Sequence, residues 1–178
     1  YNLSVRELRE KIKSKEYQRL DDNTKLKLIN KEETVVSDFI KNPIVIRNKY
    51  NIDKESITEK ILQRLILEDI PSFLKELGEG FTFVENEYKI KIGNTFNYID
   101  LLLYNIKFNC YVVIELKVTE LKKEHIGQIQ IYMNYVDKNI KTINQDKTIG
   151  VIICKKDNGY YIEYSSDNRI FSKNYILS

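Results

Sequence analysis

The sequence predicts an α/β protein in which a leading helix is followed by four strands, a second helix and a further strand. Two apolar runs, at residues 98–103 and 111–118, are rich in the branched and aromatic residues that favour strands. Residues 126–140 carry apolar side chains at steps of three and four, which is typical of an amphipathic helix. A third apolar run at residues 149–154 predicts a buried strand.

The N-terminal third is predicted to be an arm outside the main domain. Residues 3–20 have the composition of a charged helix with Ser4 as its N-cap, and residues 21–53 are polar and weakly periodic, which favours a linker. We therefore predict a helical arm or linker over residues 1–53 and the main domain over residues 54–178. The arm is a candidate surface for docking or homo-oligomerisation, and a solvated spacer is the simpler alternative.

The predicted core begins with a helical pattern from Ile57 to Leu77. Pro71 breaks or restarts that helix because proline lacks the amide hydrogen that a helix interior needs. Gly78 is a suitable C-terminal cap.

Turn residues separate the remaining predicted strands. Residues 81–85 and 88–92 are predicted as the first two strands, and the Asn-containing segment 105–109 as a turn between antiparallel neighbours. Asn158-Gly159 predicts a hairpin turn that leads into a strand over residues 160–164.

Three charged residues lie inside the two longest apolar runs. Asp100 interrupts the first run, and Glu115 and Lys117 interrupt the second. Burying an unpaired charge costs roughly several kcal/mol, so the three charged groups are expected to lie together and offset one another's charge. Strand alternation places Glu115 and Lys117 on one face, and a hairpin between the runs brings Asp100 close to Glu115.

Two carboxylates in reach of each other raise their own pKa values unless a cation lies between them. Mg²⁺ is the expected cation because it prefers hard oxygen ligands. The pattern is typical of a metal-dependent phosphodiesterase, for which nucleic acid is the first substrate to consider. A salt bridge among the three charged residues is the structural alternative.

Other Glu-x-Lys triplets are weaker candidates. The copies at residues 87–89 and 120–122 lie in mixed polar sequence, which indicates solvated surface. A site built on Asp69 with the triplet at residues 87–89 is rejected, because Asp69 lies in a helical pattern rather than in a strand.

The helix that follows presents polar side chains on one flank. Gln128 and Tyr132 are four residues apart and therefore adjacent on the helix surface, with His125 and Tyr135 extending the flank. Gln128 could orient a water or a phosphate oxygen, although an ordinary helix-flank position is the alternative. Gly127 costs about 1 kcal/mol relative to alanine in a helix interior, and its expected use is to let the helix lie close against the sheet.

Four motifs follow one another in the second half of the chain, at Phe73–Val84, Tyr98–Tyr104, Ile114–Lys117 and Gly127–Tyr132. On these motifs the chain resembles the PD-(D/E)XK nuclease superfamily and, within it, the YhcG-like bacterial family. The resemblance implies a restriction-endonuclease-like core, a mixed β-sheet flanked by helices, preceded in the family by a separate helical domain.

The resemblance also implies a Mg²⁺- or Mn²⁺-dependent nuclease that hydrolyses DNA, with RNA left open. It implies that Asp100 and Glu115 bind the metal, to which we add the carbonyl of Leu116. Lys117 is then expected to assist the attacking water or the transition state.

The resemblance also implies roles for two residues of the helix motif, and the chain departs from the family at one position. Gln128 is expected to act in catalysis and Tyr132 in substrate binding. Relatives carry an acid about ten residues before the first motif, where this chain has Gln63. Three alternatives stay open for the role of that acid: Glu59, Glu68 or neither. This departure favours an alternative function, a catalytically impaired module that binds nucleic acid or a partner subunit.

Composition limits the other classes of function. A formal net charge of +3, from 29 Lys and Arg against 26 Asp and Glu, permits nucleic-acid binding without requiring it. A single His excludes a recognisable zinc site, and no apolar run approaches a membrane span.

Cys110 and Cys154 are expected to be small buried hydrophobic residues of a reducing compartment, which predicts a cytoplasmic protein. The chain begins at Tyr1 rather than Met, which predicts a fragment of a longer protein.

Overall fold

The computed structural model describes residues 3–178, whose strands form a six-stranded mixed sheet flanked by helices. The helices are α1 (Val5–Lys13), α2 (Asp22–Asn30), α3 (Glu59–Leu67), α4 (Ile70–Leu77), α5 (Lys123–Asn139) and α6 (Gly159–Glu163). The strands are β1 (Ile44–Ile46), β2 (Phe81–Ile92), β3 (Thr95–Asn105), β4 (Cys110–Glu120), β5 (Asp146–Lys156) and β6 (Ile170–Leu177). Their order in the sheet is β1-β6-β5-β4-β3-β2. The predicted α/β class and the mixed sheet flanked by helices are confirmed.

The sheet has an antiparallel half and a parallel half that meet at β4. β2, β3 and β4 are joined by antiparallel hairpins, whereas β4, β5, β6 and β1 pair in parallel. The predicted turn between β3 and β4 is confirmed, because Asn105 pairs with Cys110. The buried Asn105 side chain fixes this turn by accepting hydrogen bonds from the amides of Lys107 and Phe108.

Helices cover the two faces of the sheet, and strand alternation supplies the apolar side chains for both. On one face α3 and α4 pack on a cluster that includes Leu101, Leu103 and Ile114. On the other face α5 packs on a cluster that includes Leu102 and Val113. Because successive residues of β3 and β4 point to opposite faces and both faces are covered, the central parts of these strands are apolar on both sides and a charge within them is conspicuous.

The leading helical pattern forms two helices. α3 begins after Thr58, whose hydroxyl accepts a hydrogen bond from the amide of Ile61. α4 begins after Asp69, whose carboxylate caps it by accepting from the amide of Ser72, and Pro71 lies in its first turn, where the missing amide costs nothing. Asp69 is therefore a helix cap.

Two local predictions differ from the structure, and one strand has no predicted counterpart. The strand predicted over residues 160–164 is wrong: residues 159–163 form α6, because β5 and β6 are parallel and a parallel pair needs a crossover rather than a hairpin. The strand that follows, β6, was not predicted. The two strands predicted at residues 81–85 and 88–92 are one strand, β2, with a register shift between Phe83 and Glu85 and a positive φ of 47° at Glu87.

The glycine that allows α5 to lie close to the sheet is Gly150 and not Gly127. A Cβ added at Gly127 would meet nothing within 4 Å, whereas one at Gly150 would lie 2.5 Å from Met133 Sδ and 2.9 Å from Ile129 Cδ1. Met133 and Ile129 are on the buried face of α5, so Gly150 of β5 sets the distance between this helix and the sheet.

The N-terminal segment contains more structure than the linker favoured by its sequence. The helix predicted over residues 3–20 is α1 followed by a short 3₁₀ helix at Tyr17–Arg19, and residues 21–53 contain α2 and β1. β1 extends the sheet by pairing with β6, so its three residues are stabilised by tertiary pairing that weak local periodicity does not reveal. The domain boundary at residues 53/54 stays a prediction.

An apolar cavity of about 460 Å³ lies between α1 and the rest of the protein, lined in part by Leu8, Ile12, Phe39 and Phe108. Homo-oligomerisation through the arm remains a prediction.

Both cysteines are buried free thiols. Over residues 3–178, none of the helices combines the length and apolar character needed to cross a bilayer.

Candidate active site

The sheet divides where the charged residues of β3 and β4 lie. β3 and β4 pair from Asn105 and Cys110 as far as Leu101 and Ile114. Past that pair, β3 continues alongside β2 and β4 continues alongside β5, so the two strands follow different neighbours. The separation leaves a gap in the sheet immediately beyond Leu101 and Ile114.

Two carboxylates bridge this gap. The amide of Leu116 donates a hydrogen bond to Asp100 Oδ2 at 2.8 Å, and the amide of Asp100 donates to Glu115 Oε1 at 3.2 Å. Each carboxylate therefore accepts from the backbone of the opposite strand, in place of the ladder hydrogen bonds that the separation removes. The predicted proximity of Asp100 and Glu115 is confirmed.

Burial and mutual repulsion disfavour the ionised forms of both groups. The pKa of Asp100 is raised, chiefly by burial, although the hydrogen bond from Leu116 and the charge of Lys117 act in the opposite direction. Glu115 is 2% exposed, and its pKa is raised well above its ordinary value by burial and then by the charge of Asp100. The pair therefore carries an electrostatic cost that a bound cation would offset.

Lys117 lies close enough to the pair to affect both carboxylates. Its charge lowers the pKa of Asp100 and that of Glu115, and its side chain is partly exposed. The three charged residues predicted to converge are thus brought close enough to interact electrostatically.

The α5 flank predicted from the sequence also faces this site. Gln128 Nε2 donates a hydrogen bond to the hydroxyl of Tyr132 at 3.1 Å. The pKa of Tyr132 is raised by burial, and the charges of Glu115 and Asp100 add to that effect. The Tyr132 hydroxyl therefore lies within electrostatic range of the carboxylates, and Gln128 holds it there.

Residues of α3 reach the same site from the other face of the sheet. Gln63 Nε2 donates a hydrogen bond to the backbone carbonyl of Asp100 at 3.1 Å, so this side-chain amide supports the backbone of β3. Glu59, one turn earlier, is exposed, and its charge raises the pKa of Asp100.

Glu68 lies in a separate ion cluster. It accepts from Lys49, Tyr50 and Arg64, which together lower its pKa to about 2. Of the two acids that the sequence left open, Glu59 is the one that acts on Asp100.

His125 is a further neighbour of the site that the sequence placed on the helix flank without a role. The amide of Lys122 donates a hydrogen bond to His125 Nδ1 at 3.1 Å, which assigns the ring hydrogen to Nε2 in the neutral form. The pKa of His125 is lowered by burial and by the charges of Lys117 and Lys122, and the charge of Glu59 opposes this. The sequence signal for this position is the spacing of three residues between His125 and Gln128, which places both on one flank of α5.

The donor set suits a hard divalent ion held by few protein ligands. Within residues 3–178, no group of three or more His, Cys, Asp or Glu side chains is arranged as a ready metal cage. Asp100 and Glu115 supply two carboxylates, and Mg²⁺ is commonly bound by one or two carboxylates while keeping several waters. The residues present therefore fit Mg²⁺ or Mn²⁺ better than zinc, which prefers nitrogen and sulfur ligands.

Comparison with known proteins gives a matching family and a curated relative. The family described as the YhcG PDDEXK nuclease domain matches residues 37–177. Among curated proteins, "Putative nuclease YhcG" of Escherichia coli (strain K12) is 25% identical over 157 residues, which cover 85% of this chain and 41% of that protein. The chain thus spans about two fifths of the length of this relative.

Solved structures with a similar fold include two endonuclease structures. A repair endonuclease from Pyrococcus abyssi has a TM-score of 0.46 and 16% identity, covering 67% of this chain and 47% of its own. The EndoMS-dsDNA2 complex has a TM-score of 0.49 and 18% identity, covering 69% of this chain and 48% of that chain.

Proposed function

This chain belongs to the YhcG PDDEXK nuclease domain family, and from that premise we propose that it is a metal-dependent nuclease that hydrolyses phosphodiester bonds in DNA. The observation that carries the proposal is the pair of buried carboxylates, Asp100 and Glu115, at the point where β3 and β4 separate. A buried pair of this kind is unfavourable without a cation, and a lysine lies beside it.

Asp100, Glu115 and the backbone carbonyl of Leu116 would hold Mg²⁺ or Mn²⁺. Such an ion, when bound, lowers the pKa of a water molecule and neutralises part of the charge of the scissile phosphate. The raised pKa values of both carboxyl groups support this assignment, because a divalent ion offsets the repulsion and the burial that raise them. Glu59 is the third acid of the proposed site, in the role that the family gives to the position of Gln63.

Side chains around the carboxylates have distinct proposed roles. The Lys117 ammonium orients the attacking water or neutralises the negative charge that develops on the phosphate. Electrostatic stabilisation of this kind lowers the activation free energy by roughly a few kcal/mol. Tyr132, held by Gln128, binds the substrate by donating its hydroxyl hydrogen to a phosphate oxygen. Gln128 thereby contributes to catalysis indirectly, because it fixes the position of the Tyr132 hydroxyl that contacts the phosphate.

A second candidate function is a nuclease-like module that binds nucleic acid or a partner subunit without cleaving it. The observation that favours it is Gln63, whose amide hydrogen-bonds to the carbonyl of Asp100 and supplies no carboxylate. Under this alternative, binding of nucleic acid persists while hydrolysis is absent with every divalent ion.

The test is cleavage of plasmid and of labelled DNA and RNA oligonucleotides with Mg²⁺ or Mn²⁺. We expect Asp100→Asn, Glu115→Gln and Lys117→Met to lose at least about a hundredfold in rate, since each removes a group that acts on the transition state. Glu120→Gln and Lys122→Met alter the exposed Glu-x-Lys copy at the end of β4 and should retain the rate within about twofold.

Calorimetric titration with Mg²⁺ and Mn²⁺ separates the two candidates. The proposal expects a bound ion in the wild type and none in Asp100→Asn. A wild-type protein that binds nucleic acid but neither binds these ions nor cleaves any substrate would support the non-cleaving module instead.

A further inference from the structure

The hairpin formed by β2 and β3 carries an exposed group of aromatic and lysine side chains beside the candidate active site. We call Lys89, Lys91, Phe96 and Tyr98 the hairpin face. The strand register pairs Lys89 with Tyr98 and Lys91 with Phe96, and directly paired residues project from the same side of a sheet. Phe96 is 52% exposed and Tyr98 is 51% exposed.

The opposite side of the same hairpin is buried. Ile90 is 1% exposed and Ile99 is fully buried, and both belong to the core cluster beneath α5. The hairpin is therefore anchored by one side, and the aromatic rings on its other side are not needed to hold it in place.

Contacts within the hairpin face keep positive charge at one aromatic ring. Lys89 Nζ lies 4.0 Å from the centroid of the Phe96 ring, and Lys91 Nζ lies 5.9 Å from it. Cation–π attraction of this kind orients the lysines, while Phe96 as a residue remains about half exposed.

The hairpin face lies next to Asp100 along β3. Tyr98 and Phe96 precede Asp100 by two and four residues in β3, which places their Cα atoms about 7 and 13 Å from that of Asp100 at the usual rise of a strand. β3 has left β4 by this point, so this part of the hairpin borders the gap. Glu87 and Asp100 lie between the paired residues Asn86–Leu101 and Tyr88–Ile99, and Lys89 is the first lysine of β2 beyond them.

Exposed aromatic rings with flanking lysines are the chemistry that recognises unpaired nucleotides. Every base can stack on an aromatic ring, and the lysines can pair with the phosphates between bases. Bases inside an uninterrupted duplex are stacked on one another and cannot reach such rings. Resting on the nuclease function proposed above, we propose that the hairpin face binds unpaired nucleotides next to the scissile phosphate, so that the substrate is nucleic acid with a single-stranded segment at the cleavage site.

Fluorescence anisotropy in EDTA tests the binding without cleavage, using a labelled single-stranded oligonucleotide, a blunt duplex and a duplex with a single-stranded tail. Phe96→Ala/Tyr98→Ala should weaken binding of the single strand and of the tailed duplex about tenfold or more, and binding of the blunt duplex about twofold at most. The matched control is Tyr160→Ala/Tyr164→Ala, which removes two aromatic residues that are 72% and 82% exposed elsewhere and should change none of the affinities.

The lysines provide a second readout. Lys89→Gln/Lys91→Gln should lower the slope of log Kd against log salt for the single strand by about 1.4, the value for two lost phosphate contacts. An unchanged slope, an equal loss for single strand and blunt duplex, or no loss in the aromatic double variant would each overturn the proposal. Should the alanine variant not fold, Phe96→Leu/Tyr98→Leu retains apolar bulk without rings and is expected to show the same selective loss.

Hydrolysis of bis(p-nitrophenyl) phosphate with Mn²⁺ separates this proposal from the nuclease function. This small phosphodiester is too short to reach the hairpin face, so Phe96→Ala/Tyr98→Ala should hydrolyse it at the wild-type rate. A wild type that cleaves neither this compound nor any nucleic acid contradicts the nuclease function, while the anisotropy measurements in EDTA still decide the hairpin proposal.

Discussion

Replacing Gly127 and Gly150 separately by alanine tests how α5 is held on the sheet. Both glycines lie in or against the same helix, but their surroundings are opposite. An added Cβ would meet open space at Gly127, whereas at Gly150 it would lie 2.5 Å from Met133 Sδ and 2.9 Å from Ile129 Cδ1. The position of α5 matters for function because this helix carries Gln128 to the carboxylate site.

The expected stabilities differ in sign. Gly127→Ala adds no clash and gains helix propensity, about 1 kcal/mol in the free energy of unfolding. Gly150→Ala forces a methyl group into a packed interface and should cost about 1–3 kcal/mol. For a protein of this size, about 1 kcal/mol corresponds to about 2–4 °C in Tm, so we expect a rise of about 3 °C for the first variant and a fall of about 3–9 °C for the second.

Circular dichroism melts and urea titrations measure both changes. A double variant, Gly150→Ala/Met133→Ala, should be less destabilised than the sum of its single changes, because the shortened side chain vacates the space that the new methyl group needs. If Gly150→Ala were as stable as the wild type, or if Gly127→Ala were the destabilised variant, close packing of α5 on Gly150 would be refuted.

Two further predictions concern the carboxylate site. Because burial and Asp100 raise the pKa of Glu115 in the folded state, its ionised form destabilises the protein above that pKa, and the cost disappears as pH falls to the ordinary value of the group. Glu115→Gln should therefore raise the free energy of unfolding by about 0.5–2 kcal/mol at pH 8 in EDTA, with a gain that shrinks towards pH 4; a gain that grows on acidification would contradict the sign. Gln63→Leu leaves the Asp100 carbonyl without its side-chain donor and should cost about 1–3 kcal/mol in urea titrations, whereas an unchanged midpoint would show that this bond contributes nothing.

The sequence located the two strands of the candidate site because charge inside an apolar run is a local signal. Asp100, Glu115 and Lys117 stand out in runs that are otherwise apolar, and a short Asn-containing turn between the runs required a hairpin. The amphipathic pattern likewise predicted α5 and the flank on which Gln128 and Tyr132 lie. These inferences need only the periodicities of strands and helices.

Other features depended on neighbours that are distant in sequence. Asn158-Gly159 suits a hairpin turn, but the parallel pairing of β5 and β6 makes residues 159–163 part of a crossover. The choice between Glu59 and Glu68 was open because both lie on or at the end of the same helix, and only the positions of Asp100 and Lys49 distinguish them.

The sequence by itself determined the α/β class, the charged residues of β3 and β4 and the polar flank of α5, because each is a pattern within one segment. Only the tertiary structure decided that β3 and β4 separate beyond Leu101, that Gly150 rather than Gly127 allows α5 to approach the sheet, and that an aromatic and lysine-rich face borders the site. The physical reason is that these features are distances between segments, and such distances are set by packing of the whole chain rather than by the composition of any part of it.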